Sequence, residues 1–305
     1  MKNSEVNSPT MFSTDRDFGK TNSFINIMKE CEEFLINKIE KYETVVVYDM
    51  NFPEQPFFST LNYTSLGEMF YIHPLSPETS NFQMESCFID REPIKTDYFE
   101  YFKEKYSNEY MNKYENQKER SINEFDAVVV LPGQNKLFDT VCINKLRYVV
   151  HEHGHRAVFK FHPLTEEDVQ KDFAKLLPSN TCFVNGDESV YDYIKDADIV
   201  YTSHNSDSAF ASVCLEKTIS PIDSFQMKVH GTFAAVNHFL FSHTNRKKII
   251  NMILNNYRSG LFVPNLNDDW RERMSEYLEY IHEKRDMFKK YYIENTNIPR
   301  RNVGE

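Results

Sequence analysis

Two short stretches decide the fold: Ala157-Val-Phe-Lys-Phe-His-Pro163 and, further along the chain, Asp198-Ile-Val-Tyr-Thr-Ser-His-Asn-Ser206. Each is an apolar run that ends in polar side chains. A continuous apolar run is typical of a strand buried on both faces of a parallel sheet. Ligands of open α/β sheets bind outside the carboxyl ends of such strands. The two polar ends therefore predict one binding edge, with Lys160, His162, Ser203, Asn205 and Ser206 as candidate residues.

The segment around these stretches alternates between two periodicities. Apolar, β-branched runs predict strands at 126–131, 157–161, 181–184, 199–202 and 218–222. Helical patterns between them predict helices at 139–153, 165–177, 189–195 and 207–215. Strands that alternate with helices indicate right-handed crossovers and a parallel sheet.

The patterns outside this segment are less regular. On the N-terminal side they predict a helix at 22–42, strands at 44–49 and 69–72, mostly loop from 73 to 93, and a helix at 97–118. On the C-terminal side they predict helices at 246–257 and 268–292.

The composition excludes several classes of protein. The chain has 305 residues, of which 40% are hydrophobic and 27% charged, so it can build a core and is not a disordered chain. A net charge of −11 argues against a protein that coats nucleic acid non-specifically. The polar N-terminus has no apolar signal region, and no run reaches the ~18 apolar residues of a membrane span. Five cysteines without a CxxC pair indicate reduced core thiols, and we expect a cytoplasmic protein.

His162-Pro163 places an imidazole at the end of a predicted strand. Proline disfavours helix in the residue before it, so His162 is expected to be extended, with its ring toward the crevice. An imidazole there can donate a hydrogen bond to a phosphate oxygen. Lys160 lies two residues earlier, on the same face of the strand. A purely structural role for the His-Pro pair is the alternative.

Two further strand ends carry polar groups. The segment 203–206 leads into a helix near Asp207, and the free N–H groups of a helix start suit an anion. Ser206 can also be simply the N-cap of that helix, and both roles can hold at once. After the strand at 126–131, Gln134 offers an amide and Asp139 a carboxylate.

In this order, the segments 131–139, 158–163 and 198–210 resemble the nucleotide-binding half of GT-B glycosyltransferases. More narrowly, they resemble the capsule polysaccharide synthesis (Kdo transferase-like) group and the His-Pro-motif bacterial sialyltransferases. The resemblance covers residues 125–225 and implies that His162, Ser203 and Ser206 contact the phosphate of a nucleotide-sugar donor. The chain departs from the pattern in two places. Ala211 replaces an acidic residue, and Glu216-Lys217 stands where a glycine precedes the last strand.

The resemblance implies an α/β fold of two Rossmann-like domains with a central cleft and C-terminal helices. The expected divisions are an acceptor-side domain at 1–122, a donor-binding domain at 123–225, and a helical segment at 226–305 that packs back on the first domain. An inverting transferase also needs a base near the acceptor hydroxyl. Asp49 is the best placed candidate, and its rivals are Glu54, His73, Asp90 and Glu92.

Neither a cofactor nor a metal is expected. His151-Glu-His-Gly-His155 is rich in ligands but is not an HExxH motif, and Gly154 breaks the helix inside it. GT-B enzymes often work without a metal because helix dipoles and side chains neutralise the leaving phosphate. The nucleotide-sugar is a co-substrate.

Several functions remain open at this stage. The acceptor is either a surface glycan or a hydroxymethylated base in DNA, as in phage DNA glycosyltransferases. A DNA acceptor requires a basic groove and base flipping. A non-catalytic glycan- or nucleotide-binding module and a nucleotide-sugar epimerase are further alternatives. The basic groove of the DNA alternative would come from Arg246, Lys247, Lys248, Arg271 and Arg273.

Overall fold

The computed structural model describes residues 22–42, 44–48, 57–66, 68–108, 117–225 and 234–295. In these ranges it forms two sheets with helices on their faces. The strands are β1 (Val45–Tyr48), β2 (Phe57–Leu66), β3 (Met69–Leu75), β4 (Ala127–Val130), β5 (Ala157–Lys160), β6 (Cys182–Val184), β7 (Ile199–Thr202), β8 (Thr218–Pro221) and β9 (Leu261–Phe262). The helices are α1 (Asn22–Ile39), α2 (Pro77–Ile89), α3 (Tyr98–Asn108), α4 (Gln134–Thr140), α5 (Ile143–His153), α6 (Glu167–Ala174), α7 (Val190–Asp196), α8 (Ser208–Cys214), α9 (Ala234–Ser242), α10 (Arg246–Asn255) and α11 (Trp270–Asn295).

The five-stranded sheet confirms the prediction of a parallel α/β unit. Its order is β6-β5-β4-β7-β8, and every pairing in it is parallel. Strand β4, which comes first along the chain among these five, thus lies in the middle, and the order reverses between β4 and β7. This is the doubly wound arrangement, whose ligand crevice lies at the reversal, outside the carboxyl ends of the strands.

Both faces of this sheet are covered, which explains its apolar strands. Ala127 and Val129 of β4 pack against α5 and α6 in one hydrophobic core. Val128 and Val130 pack on the other face with residues of α7, α8, α3 and α10. Full burial of each such apolar side chain contributes about 1.5–3 kcal/mol to the stability of the folded protein. A strand that is buried on both faces therefore carries polar residues only at its end.

The four-stranded sheet differs from the expectation. Its order is β1-β2-β3-β9, with one parallel pairing, β1 with β2, and two antiparallel pairings. A second Rossmann-like sheet is therefore not confirmed in the described residues, although the α/β class is. Strand β2 follows a stretch with two prolines, which the sequence pattern assigns to a loop.

Helix α2 occupies the segment that the pattern predicts as mostly loop. The Ser76 hydroxyl caps it by accepting from the Thr79 N–H, and a proline stands in its first turn. Polar residues lie on its buried face, and this is why no apolar stripe marks the helix. These buried residues are Ser80, Gln83 and Ser86.

The predicted helix at 139–153 corresponds to the last residues of α4, which begins at Gln134, and to a second helix, α5. Between them, Val141 bridges Asp223, and the Cys142 N–H donates to the Ile222 carbonyl at 2.9 Å. These bonds tie the junction to the end of β8 and interrupt the helix. Gly154 ends α5 with a positive φ of 59°, as predicted for its cap.

The C-terminal helices pack on elements from the N-terminal part of the chain. In the α11–α1 contact, Trp270 meets Phe34 edge to face at 5.3 Å, and Arg271 pairs with Glu30. Asn251 of α10 accepts from the Phe99 N–H at the start of α3 at 2.9 Å. No helix in the described ranges combines the length and apolar character that crossing a bilayer requires.

Candidate functional site

The parallel sheet brings the predicted donor residues to one edge. Val130 of β4 is level with Lys160 of β5 and with Thr202 of β7, and Thr202 is level with Pro221 of β8. The segments that follow these strands, including the start of α4, therefore leave the sheet side by side. They carry Gln134, His162, Ser203, Asn205 and Ser206.

Lys160 is part of the interior of this edge. Its side chain is buried, and Nζ donates to the carbonyl of Gly186 at 2.8 Å and to that of Phe161 at 3.2 Å. Burial lowers its pKa to about 8, while the nearby Glu188 and Asp187 oppose that shift. Lys160 thus joins the loop after β6 to the end of β5.

His162 lies at the surface of the edge and is half-buried. Its Nδ1 accepts a hydrogen bond from the Leu164 N–H at 3.2 Å, and its carbonyl accepts from the Thr165 N–H at 2.9 Å. The first bond places the ring proton of the neutral imidazole on Nε2. His162 therefore presents an N–H donor, as recognition of a phosphate oxygen requires.

Gln134 joins two of the loops. It is the first residue of α4, and its side chain both donates to Glu166 Oε1 at 3.3 Å and accepts from the Glu166 N–H at 3.0 Å. The other end of α4 is tied to residues 222–223, at the end of β8. Helix α4 therefore crosses the carboxyl edge from the β5 side to the β8 side.

Ser203 belongs to a buried network centred on Asp223. The Ser203 hydroxyl donates to Asp223 Oδ2 at 2.5 Å, and the ring of His204 donates from Nδ1 to Asp223 Oδ1 at 2.6 Å. The His204 backbone N–H also donates to both carboxylate oxygens, at 3.1 and 3.2 Å. The Asp223 side chain is fully buried, and among the described residues the loop after β7 donates these hydrogen bonds to its carboxylate.

Asn205 and Ser206 are the half-buried residues of the same loop. The Ser206 hydroxyl accepts from the Ser208 N–H at 3.3 Å, but the N-cap of α8 is Asp207, so Ser206 lies one residue before the cap position that the sequence suggested. The loop is held from outside by Asn237 of α9, which donates to the carbonyls of His204 and Ser206 at 2.7 and 2.8 Å.

Aromatic rings enclose the His204 ring. Phe241 lies at 4.7 Å and Phe225 at 5.5 Å between ring centroids, and His238 lies at 6.1 Å. His238 stacks on Phe225 at 4.3 Å. Burial lowers the pKa of His238, and the neighbouring His204 and His243 lower it further.

Asp223 and His204 are the residues that the sequence reasoning missed. The sequence pattern assigns a role neither to His204, within the segment 203–206, nor to Asp223. The sequence does contain a pattern that points to Asp223. This residue follows the last predicted strand of the parallel sheet, just as the other candidate polar residues follow earlier strands. Only the fold places its carboxylate against the loop after β7.

The two departures from the family pattern have local explanations. Ala211 is fully buried in α8 within the apolar core, where a carboxylate would be desolvated without a partner. Glu216 adopts a positive φ of 56°, in the left-handed region that favours glycine. Its carboxylate pairs with Lys103.

The candidate bases lie in different environments. Asp49 and Glu54 lie outside the described residues. His73 is buried, accepts from Asn62 Nδ2 at Nε2 (3.0 Å) and donates from Nδ1 to the Pro74 carbonyl (2.9 Å). Burial lowers the pKa of His73 to about 4 and raises that of Glu92. Asp90 is exposed and pairs with Arg258 at 2.6 Å.

A cavity of about 520 Å³ lies away from these loops, between α2, α11 and the turn at 257–259. Its walls include Phe82, Asp90, Arg258, Glu276 and Tyr280. Asp90 is the one candidate base among its lining residues, and none of the predicted donor residues lines it. The cavity and the carboxyl edge of the parallel sheet are separate features.

Four of the five basic residues that a DNA acceptor would need have other partners. Lys247 pairs with Glu100 at 2.5 Å and with Asp97 at 3.5 Å, and Arg271 pairs with Glu30. The guanidinium groups of the other two arginines donate to backbone carbonyls. These bonds are Arg246 to Leu240 at 3.0 Å and Arg273 to Leu254 at 2.7 Å.

The histidine-rich segment does not gather into a metal site. His151 is exposed beside Glu152, and His153 contacts the Tyr201 hydroxyl at 3.1 Å. Across the described ranges, no three His, Cys, Asp or Glu side chains are placed to hold a metal ion.

No protein-family model matches the chain, and a search of curated proteins finds no match to it either.

Proposed function

We propose that this protein is a glycosyltransferase that moves a sugar from a nucleotide-sugar donor to a glycan acceptor. One observation carries the proposal. The segments after β4, β5 and β7 leave the doubly wound sheet side by side at its carboxyl edge, around the reversal of strand order, and each carries predicted polar residues. Phosphate-containing ligands of such sheets bind at this position.

The proposal divides the predicted residues into two groups. His162, Asn205 and Ser206 are half-buried at the edge and are assigned to the donor phosphate. Lys160 and Ser203 are buried and hydrogen-bonded inside the protein, so they are assigned to support of the loops. Gln134 sets the spacing between the loops after β4 and β5 through Glu166.

The glycan acceptor is preferred to DNA for electrostatic reasons. The chain has a net charge of −11, and four of the five basic residues proposed for a groove are bound to carboxylates or carbonyls. Binding to duplex DNA depends on unpaired Lys and Arg side chains that displace counterions from phosphates.

The proposal is tested by thermal unfolding with CMP, UDP, GDP or ADP. A nucleotide at about 100 times its Kd stabilises the folded state by about 2.7 kcal/mol, which is a shift of several degrees. We expect one nucleotide to stabilise the wild type and His162→Ala to lose that shift. His155→Ala is the matched control, because His155 is exposed and precedes β5 at its other end.

Two outcomes contradict the proposal. If none of the four nucleotides shifts the transition, the donor site is wrong. If a nucleotide binds but no sugar nucleotide is hydrolysed or transferred, the protein is a binding module. The first outcome contradicts both the donor site and the transfer reaction, whereas the second contradicts only the transfer reaction.

A further inference from the structure

The loop after β7 also carries His204, which forms a buried pair with Asp223. The geometry of this pair is that of an acid–base group. A carboxylate can only accept, so the 2.6 Å contact requires the proton of the His204 ring to be on Nδ1. The lone pair of the neutral imidazole is then on Nε2. A carboxylate partner of this kind also stabilises the imidazolium that forms when Nε2 takes a proton.

The pair is held rigidly from three sides. The Ser203 hydroxyl and the His204 backbone N–H also donate to the Asp223 carboxylate. Val141 bridges Asp223 through the backbone, and Asn237 holds the His204 carbonyl at 2.7 Å. Fixed orientation of this kind is a requirement for proton transfer in a transition state.

The pair also lies close in sequence to the residues that are assigned to the donor, where a reacting group is needed. His204 precedes Asn205 and Ser206, which are assigned to the donor phosphate, on the same loop at the carboxyl edge. Its ring is nearly buried, and the aromatic side chains around it lower the local dielectric, which strengthens a charge interaction. Among the described residues, the titratable groups in contact with the ring are Asp223 and, on α9, His238; Glu85 of α2 and His243 act on His238 from beyond it.

We propose that His204 is the catalytic acid–base residue of the transfer reaction and that Asp223 is its positioning residue. The inference rests on the proposed function. His204 Nε2 takes the proton of the acceptor hydroxyl while that oxygen forms its bond to the anomeric carbon. The bond from the anomeric carbon to the phosphate oxygen breaks, and its electron pair leaves with the nucleotide. The imidazolium then returns its proton to solvent or to the released phosphate.

The kinetic test compares wild type, His204→Asn and Asp223→Asn. The substrates are UDP-glucose, UDP-galactose, GDP-mannose and CMP-N-acetylneuraminate, and the readout is nucleotide release with water as acceptor. We expect His204→Asn to lower kcat about 100-fold and to leave the nucleotide Kd within about threefold. The wild-type rate should fall as the pH is lowered, since the base must be neutral, and the residual rate of His204→Asn should lack this dependence.

The control variant is His153→Asn. His153 is partly buried and bound to a neutral tyrosine, so its replacement should leave kcat unchanged. Asp223→Asn tests whether Asp223 positions the ring of His204 or only stabilises the fold. The new amide can donate a hydrogen bond to His204 Nδ1, which favours the tautomer with the proton on Nε2. We expect that switch in the ring ¹⁵N spectrum together with at least a roughly tenfold loss of kcat.

Three results would overturn the inference. The first is a His204→Asn protein that binds nucleotide and retains kcat within about threefold of wild type. The second is a wild-type ¹⁵N spectrum with the His204 proton on Nε2, a measurement that needs no variant to fold. The third is a wild type that binds no nucleotide and releases none, which removes the proposed function and the inference together.

Discussion

The two sheets each bury a histidine, and the comparison shows how a partner decides what an imidazole can do. In the four-stranded sheet, His73 accepts from an amide and donates to a carbonyl, so both ring nitrogens have neutral partners. In the five-stranded sheet, His204 donates to the Asp223 carboxylate. His73 is thus held between two neutral groups, whereas His204 is paired with an anionic group.

The location of each histidine agrees with this difference. His73 lies within β3, next to the core that joins the two sheets, where a change of charge would be costly. His204 lies beyond the end of β7, at the edge where ligands of a doubly wound sheet bind. Both histidines are buried, but His73 contributes to stability, whereas we propose that His204 takes part in the reaction.

Removal of the Asp223 carboxylate should have the largest effect on stability. Asp223→Ala leaves the buried donors of Ser203 and His204 unpaired, and we expect a loss of about 3–5 kcal/mol in the free energy of unfolding. Urea unfolding measures it. Asp90→Ala is the control, because the Asp90 carboxylate is exposed and its pair with Arg258 should contribute about 1 kcal/mol or less. Equal losses in the two variants would contradict the assigned role of the buried network.

The next effect concerns the pH dependence of stability at His73. Its pKa is lowered from 6.5 to about 4, so the folded state binds fewer protons than the unfolded state between these values. The contribution of neutral His73 is complete above about pH 6.5 and is lost as the pH falls toward 4, by up to about 3 kcal/mol.

His73→Gln should flatten the stability curve between pH 6.5 and 4, whereas His155→Gln, at an exposed position, should not. Unfolding by urea at several pH values measures both slopes. An unchanged slope in His73→Gln would mean that His73 becomes charged in the folded protein, and the contrast with His204 would then disappear.

The smallest effect concerns the backbone packing at the carboxyl edge. A Cβ at Gly186 would lie 2.9 Å from the His162 carbonyl oxygen and 3.2 Å from Pro163 Cα. Gly186→Ala must therefore push the His-Pro turn outward, and we expect a loss of about 1–3 kcal/mol together with weaker stabilisation by nucleotide.

Gly133→Ala is the matched control, because its Cβ would meet only the end of the Asn135 side chain, at 3.2 Å. In the same urea titration, Gly133→Ala should lower the free energy of unfolding by much less than Gly186→Ala does. A larger effect at Gly133 would indicate that the start of α4, rather than the His-Pro turn, controls the shape of the edge.

The strands of the parallel sheet could be predicted because burial on both faces leaves a purely local pattern. Strand β7 runs from Ile199 to Thr202, as predicted, and the polar loops after β4, β5 and β7 follow from the same rule. Helix α2 could not be predicted in this way, since its buried face carries Ser80 and Gln83, which find partners only in the folded protein. The break between α4 and α5 likewise depends on the distant Asp223.

The sequence by itself determined the class of fold and the edge at which polar groups collect, because hydrophobic periodicity and strand ends are local properties of the chain. Tertiary structure alone decided what those groups do. It directed Lys160 inward to backbone carbonyls and brought Asp223 from the end of β8 to Ser203 and His204. The physical reason is that hydrogen-bond partners, burial and the charge they permit are set by residues distant in sequence, and no local pattern records them.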